Sequence, residues 1–170
     1  MSIPGSANAL LLASTAAAAG GYQVSRSLRF NSSDSGFLSR TPAVAGSRTT
    51  WTWAGWVKNA FTPSANPRIF SAGSSTSDTT EITLLATAES NELRVLGDVG
   101  NVRKLQWTTI NKFRDPSAWF HLVVTLDTTQ ATAANRLKVY VNGTQITTAG
   151  VSSTLPSQND QFEVNNTSIQ

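Results

Sequence analysis

Beyond residue 26, apolar side chains recur mostly at every second position, in short runs interrupted by turn-forming residues. That is the signature of half-buried β-strands, and its regular spacing suits a sandwich or barrel. The runs are Ser27–Phe30, Gly36–Arg40, Thr49–Lys58, Arg68–Ala72, Glu81–Ala86, Glu92–Leu96, Val102–Thr108, Trp119–Leu126, Arg136–Val141 and Thr144–Thr147. Between them stand segments such as Asn31-Ser32-Ser33-Asp34, Pro63 to Pro67, Gly73 to Thr79, Asp115-Pro116 and Asn142-Gly143. In these, proline fixes φ or Asn and Gly tolerate the left-handed region. In "AWFHLVVTLD", Phe120, Leu122, Val124 and Leu126 share one face, and the expectation is that this face turns inward. In "RLKVYVNGTQI", Leu137, Val139 and Val141 do the same, and Asn142-Gly143 is the preferred pair for a two-residue type I′ hairpin.

The first 25 residues break the pattern. They carry no charged side chain and a single aromatic, Tyr22. A helix is expected over about Ala7–Ala19, with Ser6 as N-cap and Gly20 at its stop. Its sticky stripe would be Leu10, Leu11 and Leu12, the rest being largely alanine. An isolated helix of this length is marginal in water and needs a partner surface. Residues 1–25 are therefore expected to form an anchor segment that binds a partner through Ile3, Pro4, Leu10, Leu11 and Leu12. No Lys or Arg precedes "ALLLASTAAAA", so the segment reads as a mature N-terminus rather than a signal peptide.

The bulk numbers agree with an all-β reading. A chain of 170 residues with 39% hydrophobic residues supports one domain with a core. Charged residues are only 14%, and Ser, Thr, Asn and Gln carry the polar surface. The net charge of +3 is spread along the chain without the clustering that a nucleic-acid binder shows. There is no cysteine, so neither a disulfide framework nor a thiolate metal site is available, which favours an intracellular or viral product. No apolar run approaches the length of a membrane span.

Candidate chemistry is sparse. The stretch "TWTWAGWVK" places three of the five tryptophans within six residues. On a strand, Trp51, Trp53 and Gly55 share one face and Trp56 joins Thr52 and Ala54 on the other, so the three rings cannot make one stacking platform. Core packing is expected for at least two, with a single exposed ring left as a ligand contact; Trp107 and Trp119 stay undecided. His121 is the only histidine, and it has neither a nucleophile-elbow motif nor an orienting partner, so it reads as structural. The ten acids show no paired arrangement on one strand face, although folding could bring two from separate strands within reach of a glycosidic bond. Asp34, Asp78 and Asp115 read as turn acids that bind backbone N–H groups. No catalytic residue and no cofactor are expected. The loops around Asp78 and Asp98 offer oxygen ligands for calcium, but no ligand spacing marks a metal site.

In order, "SLRFN", "GFLSRTPA", "TWTWAGWVK", "FRDPSAWFHLVVTLD" and "RLKVYVNGTQIT" resemble a laminin-G-like domain of the concanavalin A-like jelly-roll superfamily, over about residues 26–148. The wording is similar to copies in tail-fibre and other virion proteins of bacteriophages, notably phages of marine bacteria and cyanobacteria, where a stretch like "MSIPGSANALLLAS" stands ahead of the domain. The resemblance implies an antiparallel jelly-roll β-sandwich over 26–170 behind the anchor. It also implies a non-enzymatic virion structural protein, a tail fibre or tail appendage, located in the virion tail. Expected partners are other virion proteins, tail or adaptor subunits, with a homo-oligomer, a trimer by analogy. A lectin-like host-adhesion module binding surface glycan, and a head decoration protein, are the alternatives. A rim calcium occurs often in the family. Relatives continue past the equivalent of "FEVNNTSIQ" through a further strand pair, so the sandwich is expected to lack its last strands, as the N-terminal portion of a longer fibre protein or completed by another chain.

Overall fold

The computed structural model describes residues 37–59, 66–85, 91–150 and 153–168. Its strands are β1 (Thr50–Lys58), β2 (Arg68–Gly73), β3 (Thr79–Leu84), β4 (Glu92–Val99), β5 (Val102–Lys112), β6 (Trp119–Asp127), β7 (Leu137–Val141) and β8 (Thr144–Ile146), with one 3₁₀ turn at Ala133–Asn135. All lie in the compact unit Arg40–Gln170. Of the separate unit Met1–Ser39, only 37–39 are described, and they are exposed. The anchor residues Ile3, Pro4, Leu10, Leu11 and Leu12, and the helix expected around them, lie outside the described residues.

The strands form two antiparallel sheets, in the orders β1-β6-β7-β8 and β2-β3-β4-β5. The chain leaves β1, meanders through the whole second sheet, and returns with β6 beside β1, Thr50 opposite Asp127 and Lys58 opposite Trp119. One hydrophobic core joins the inner faces, so the two sheets make a sandwich. Phe120, Leu122, Val124 and Leu126 of β6 are all buried there, as the alternation requires. Asn142 and Gly143, both at positive φ (51° and 80°), make the two-residue turn between β7 and β8.

The tryptophans divide by face. Trp51 is buried and Trp53 half-buried in the core, while Trp56 is 67% exposed on the opposite side of β1. Gly55 makes room for this: a Cβ there would stand 2.9 Å from the Trp53 ring, which folds over it. The two undecided rings part company, Trp107 entering the core and Trp119 standing 60% exposed.

One expected strand is absent. Residues 37–40 form no ladder, and Phe37 and Leu38 are 79% and 72% exposed. Hydrophobic residues alone do not make a strand there, because Pro42 removes a ladder donor close by and no described strand takes the segment as a neighbour. The sandwich's edges are partly covered. Gln106 of β5 exchanges both backbone hydrogen bonds with Thr154 (2.9 and 2.7 Å), and Gly150 N–H donates to the Thr108 carbonyl. At the start of β1, Phe162 N–H donates to the Arg48 carbonyl and Gly46 N–H to that of Asn165. Such cover blunts the tendency of open edges to recruit foreign strands.

Candidate functional site

The outer face of the second sheet holds a shallow trough of about 540 Å³. Strand alternation and register build it: Ser71, Glu81, Leu96 and Gln106 form one cross-strand row, and Gly73, Thr79, Asp98 and Arg103 the next. The second row depends on an irregularity. The β4–β5 register shifts between Gly97 and Asp98, skipping Lys104, and this sets Arg103 directly opposite Asp98.

Two ion pairs wall the trough. Arg68 Nε donates to Glu81 Oε1 at 2.9 Å. Arg103 binds Asp98 with two parallel bonds, Nε to Oδ1 at 2.5 Å and Nη2 to Oδ2 at 3.1 Å, and its Nη1 donates to Gln106 Oε1 at 2.6 Å. Forked guanidinium–carboxylate pairs hold both partners in fixed orientation. Between the walls lies Leu96, 6% exposed although it points away from the core. Hydroxyls of Ser71, Ser75, Thr76 and Thr79 complete the lining. An apolar floor framed by oriented donors and acceptors is suited to a polyhydroxylated ring, whose carbon face avoids water and whose hydroxyls both give and accept hydrogen bonds.

A third guanidinium stands one row away. Arg94, half-buried between Thr83 and Thr108, has a buried Nε without a hydrogen-bond partner. Desolvation lowers its pKa, the Arg103 charge adds to this, and Glu81 opposes it. The face therefore carries Arg68, Arg94 and Arg103 against two carboxylates, each of which already has a partner.

The acids named for calcium, Asp78 and Asp98, accept hydrogen bonds from neighbouring groups. Asp78 accepts from Gly100 N–H (2.7 Å) and Ser75 Oγ–H (2.8 Å), and Asp98 is held by Arg103. Among the described residues no three His, Asp or Glu come together as a metal cluster. Asp78 and Asp115 are turn acids as expected. The Gly100 N–H and then Ser75 hold Asp78 below the usual carboxylate range, and the Ser117 hydroxyl and N–H do so for Asp115. His121 is half-buried with its ring against Trp56 at 5.2 Å, and its backbone N–H donates to Asn142 Oδ1. No helix among the described residues is long and apolar enough to cross a membrane.

From the sequence Asp98 stood out only as a possible oxygen ligand, and nothing grouped Arg68, Glu81, Leu96 and Arg103. The period of two places each on an outward face; what it lacks is the register that sets them side by side.

Comparison with curated proteins and with solved structures gave no match. The laminin-G-type model of the concanavalin A-like lectin/glucanases superfamily matches residues 28–166. With that span covering most of the chain, and with two antiparallel sheets closed on one core, the protein belongs to the concanavalin A-like lectin/glucanases superfamily.

Proposed function

We propose that this protein is a non-enzymatic carbohydrate-binding module whose trough on the second sheet takes a saccharide. The observation that carries it is the Leu96 floor between two oriented arginine–carboxylate pairs. The superfamily includes glycosidases, but hydrolysis needs one carboxyl kept protonated as a general acid. Here both trough carboxylates are engaged by guanidinium groups, an arrangement suited to holding hydroxyls. Titration of the purified chain against a panel of oligosaccharides tests the reading. Arg103→Ala or Glu81→Gln is expected to weaken the best ligand about tenfold or more, since hydrogen bonds to charged groups are lost. Wild-type affinity in both variants would sink the trough, and turnover of the bound glycan would sink the non-enzymatic half.

The setting we infer is a virion, as a tail fibre or tail appendage and most simply as a homo-oligomer such as a trimer. Support comes from the chargeless residues 1–25 and their likeness to leaders of phage tail proteins. Burial of Ile3, Pro4 and Leu10–Leu12 against a tail or adaptor subunit would stabilise attachment at about 25 cal/mol per Å². Deleting residues 1–24 is expected to abolish incorporation into virions while glycan binding persists. Incorporation of the deleted form at the normal level would refute the anchor.

A further inference from the structure

The opposite side of the sandwich carries a second surface with its own chemistry. On the outer face of the first sheet, Trp56 and Trp119 are 67% and 60% exposed. Trp56 lies opposite His121 and Trp119 opposite Lys58, so the two indoles are diagonal neighbours on one face. Such positions are about 7–8 Å apart, within the span of a disaccharide. The His121 ring leans on Trp56 at 5.2 Å and 52°, limiting its rotation, and the Lys58 ammonium stands 6.0 Å from the centre of the Trp119 ring.

Charge on this face is unevenly engaged. Asp115 accepts two bonds from Ser117, at 2.8 Å from N–H and 2.6 Å from the hydroxyl. Asp127 is bound by Thr129 and Gln130. Lys58, by contrast, makes no ion pair among the described residues. Asp115 is bound within its own turn and feels the Lys58 charge without forming an ion pair with it, so the exposed ammonium keeps its place beside the rings.

The exposed apolar area here is aromatic rather than aliphatic. Ala54, half-buried Val123 and half-buried Tyr140 lie among the rings, and Thr52, Thr125, Lys138 and Gln145 surround them. An ammonium standing beside the two rings is out of place at the core of a protein interface, where lysine is depleted. Indole faces instead suit the carbon side of a sugar ring, whose rim of hydroxyls stays wet.

We propose that this face is a stacking platform for a carboxylate-bearing polysaccharide. Sugar rings lie on Trp56 and Trp119, and Lys58 pairs with the uronate groups. The platform goes beyond the trough on the second sheet, and either can fail without the other.

The test titrates the full chain with polygalacturonate and with neutral dextran, at low and high salt, following tryptophan emission and heat. Polygalacturonate is expected to bind, to shift the emission of the exposed indoles to the blue, and to weaken as salt rises. Trp56→Ala and Trp119→Ala should each reduce affinity about tenfold. Lys58→Gln should erase the preference for the acidic polymer, and Arg103→Ala in the trough should leave this binding unchanged. Thermal unfolding of each variant verifies folding, which surface positions should leave intact. The platform is overturned if polygalacturonate does not bind, if the folded double tryptophan variant binds it like wild type, or if dextran binds as tightly. It is equally overturned if the double variant changes only the sedimentation behaviour, which would make the face a contact between proteins.

Discussion

Gly97 sits in the middle of β4 facing the core, and the fully buried ring of Phe162 occupies the space where its side chain would be. A Cβ at Gly97 would overlap Phe162 Cε1 and Cδ1 and press on Leu105. Alanine at position 97 is therefore expected to destabilise by about 1–3 kcal/mol through overpacking. Phe162→Ala leaves the complementary void and is expected to lose about 3–5 kcal/mol. Combining Gly97→Ala with Phe162→Leu should recover part of the loss, because the smaller side chain vacates the contested volume. Urea melts of Gly97→Ala, Phe162→Leu and the double variant measure this coupling; strict additivity would show that ring and glycine are independent. Nothing in the local sequence around Gly97 announces the pairing, since the partner is 65 positions away and belongs to no strand. By contrast, the Asn142-Gly143 turn and the inward face of β6 were readable at once, because local conformation and alternation decide them without a distant partner.

The C-terminal segment shows the same limit at the level of an element. Glu163 is almost wholly buried; its carboxylate receives Arg48 Nη2 at 2.5 Å and Asn166 Nδ2 at 2.8 Å, and its N–H donates to Thr80 Oγ1 at 3.2 Å. Arg48 Nε also donates to the Phe162 carbonyl at 2.7 Å. A single segment thus ties the approach to β1 to the inner face of β3. Glu163→Ala strands a partly buried guanidinium and is expected to destabilise by about 3 kcal/mol. Glu163→Gln, which keeps an acceptor, should lose less. Thermal melts of both, with hydrogen exchange of the Phe162 and Gly46 amides, would register detachment of the segment; unchanged protection in the alanine variant would contradict the clip. From sequence, "FEVNNTSIQ" marked only the point past which relatives continue, because alternation does not reveal that a glutamate can point inward to meet an arginine 115 positions earlier. The eight described strands and the division of Trp51, Trp53 and Trp56 between the faces of β1 were legible for the opposite reason. Each rests on a period of two that holds along its own run. The trough and the platform were not, because both are products of register: Asp98 meets Arg103 only through the β4 shift, and Trp56 joins Trp119 only through the β1–β6 ladder.

Taken as one body, the sandwich should lose stability in acid for a traceable reason. Asp78 beside β3, Asp115 between β5 and β6, and Asp127 at the end of β6 all have pKa values held below the ordinary 3.8. The causes are local donors: Gly100 N–H first for Asp78, the Ser117 hydroxyl for Asp115, and the Thr129 hydroxyl, then Gln130, for Asp127. A carboxylate with a depressed folded pKa contributes its stability above the unfolded value. That contribution is lost as pH falls through the lower folded value. Stability is therefore expected to be level from neutral pH to about pH 5 and to decline below about pH 4, the window where the unfolded chain takes up protons first. Asp127→Asn should unfold at a lower temperature than wild type at pH 7, and the gap should narrow as the pH is taken below 4, because wild type then loses the same charge-assisted bonds. The three acids serve loops of both sheets, yet one core joins those sheets, so tryptophan fluorescence and far-UV dichroism should report a single coincident transition at each pH. A gap between Asp127→Asn and wild type that stayed constant down to pH 2 would show that the bonds at Asp127 do not depend on its charge. Two separated transitions would show that the sheets share less of their core than their interleaved side chains require.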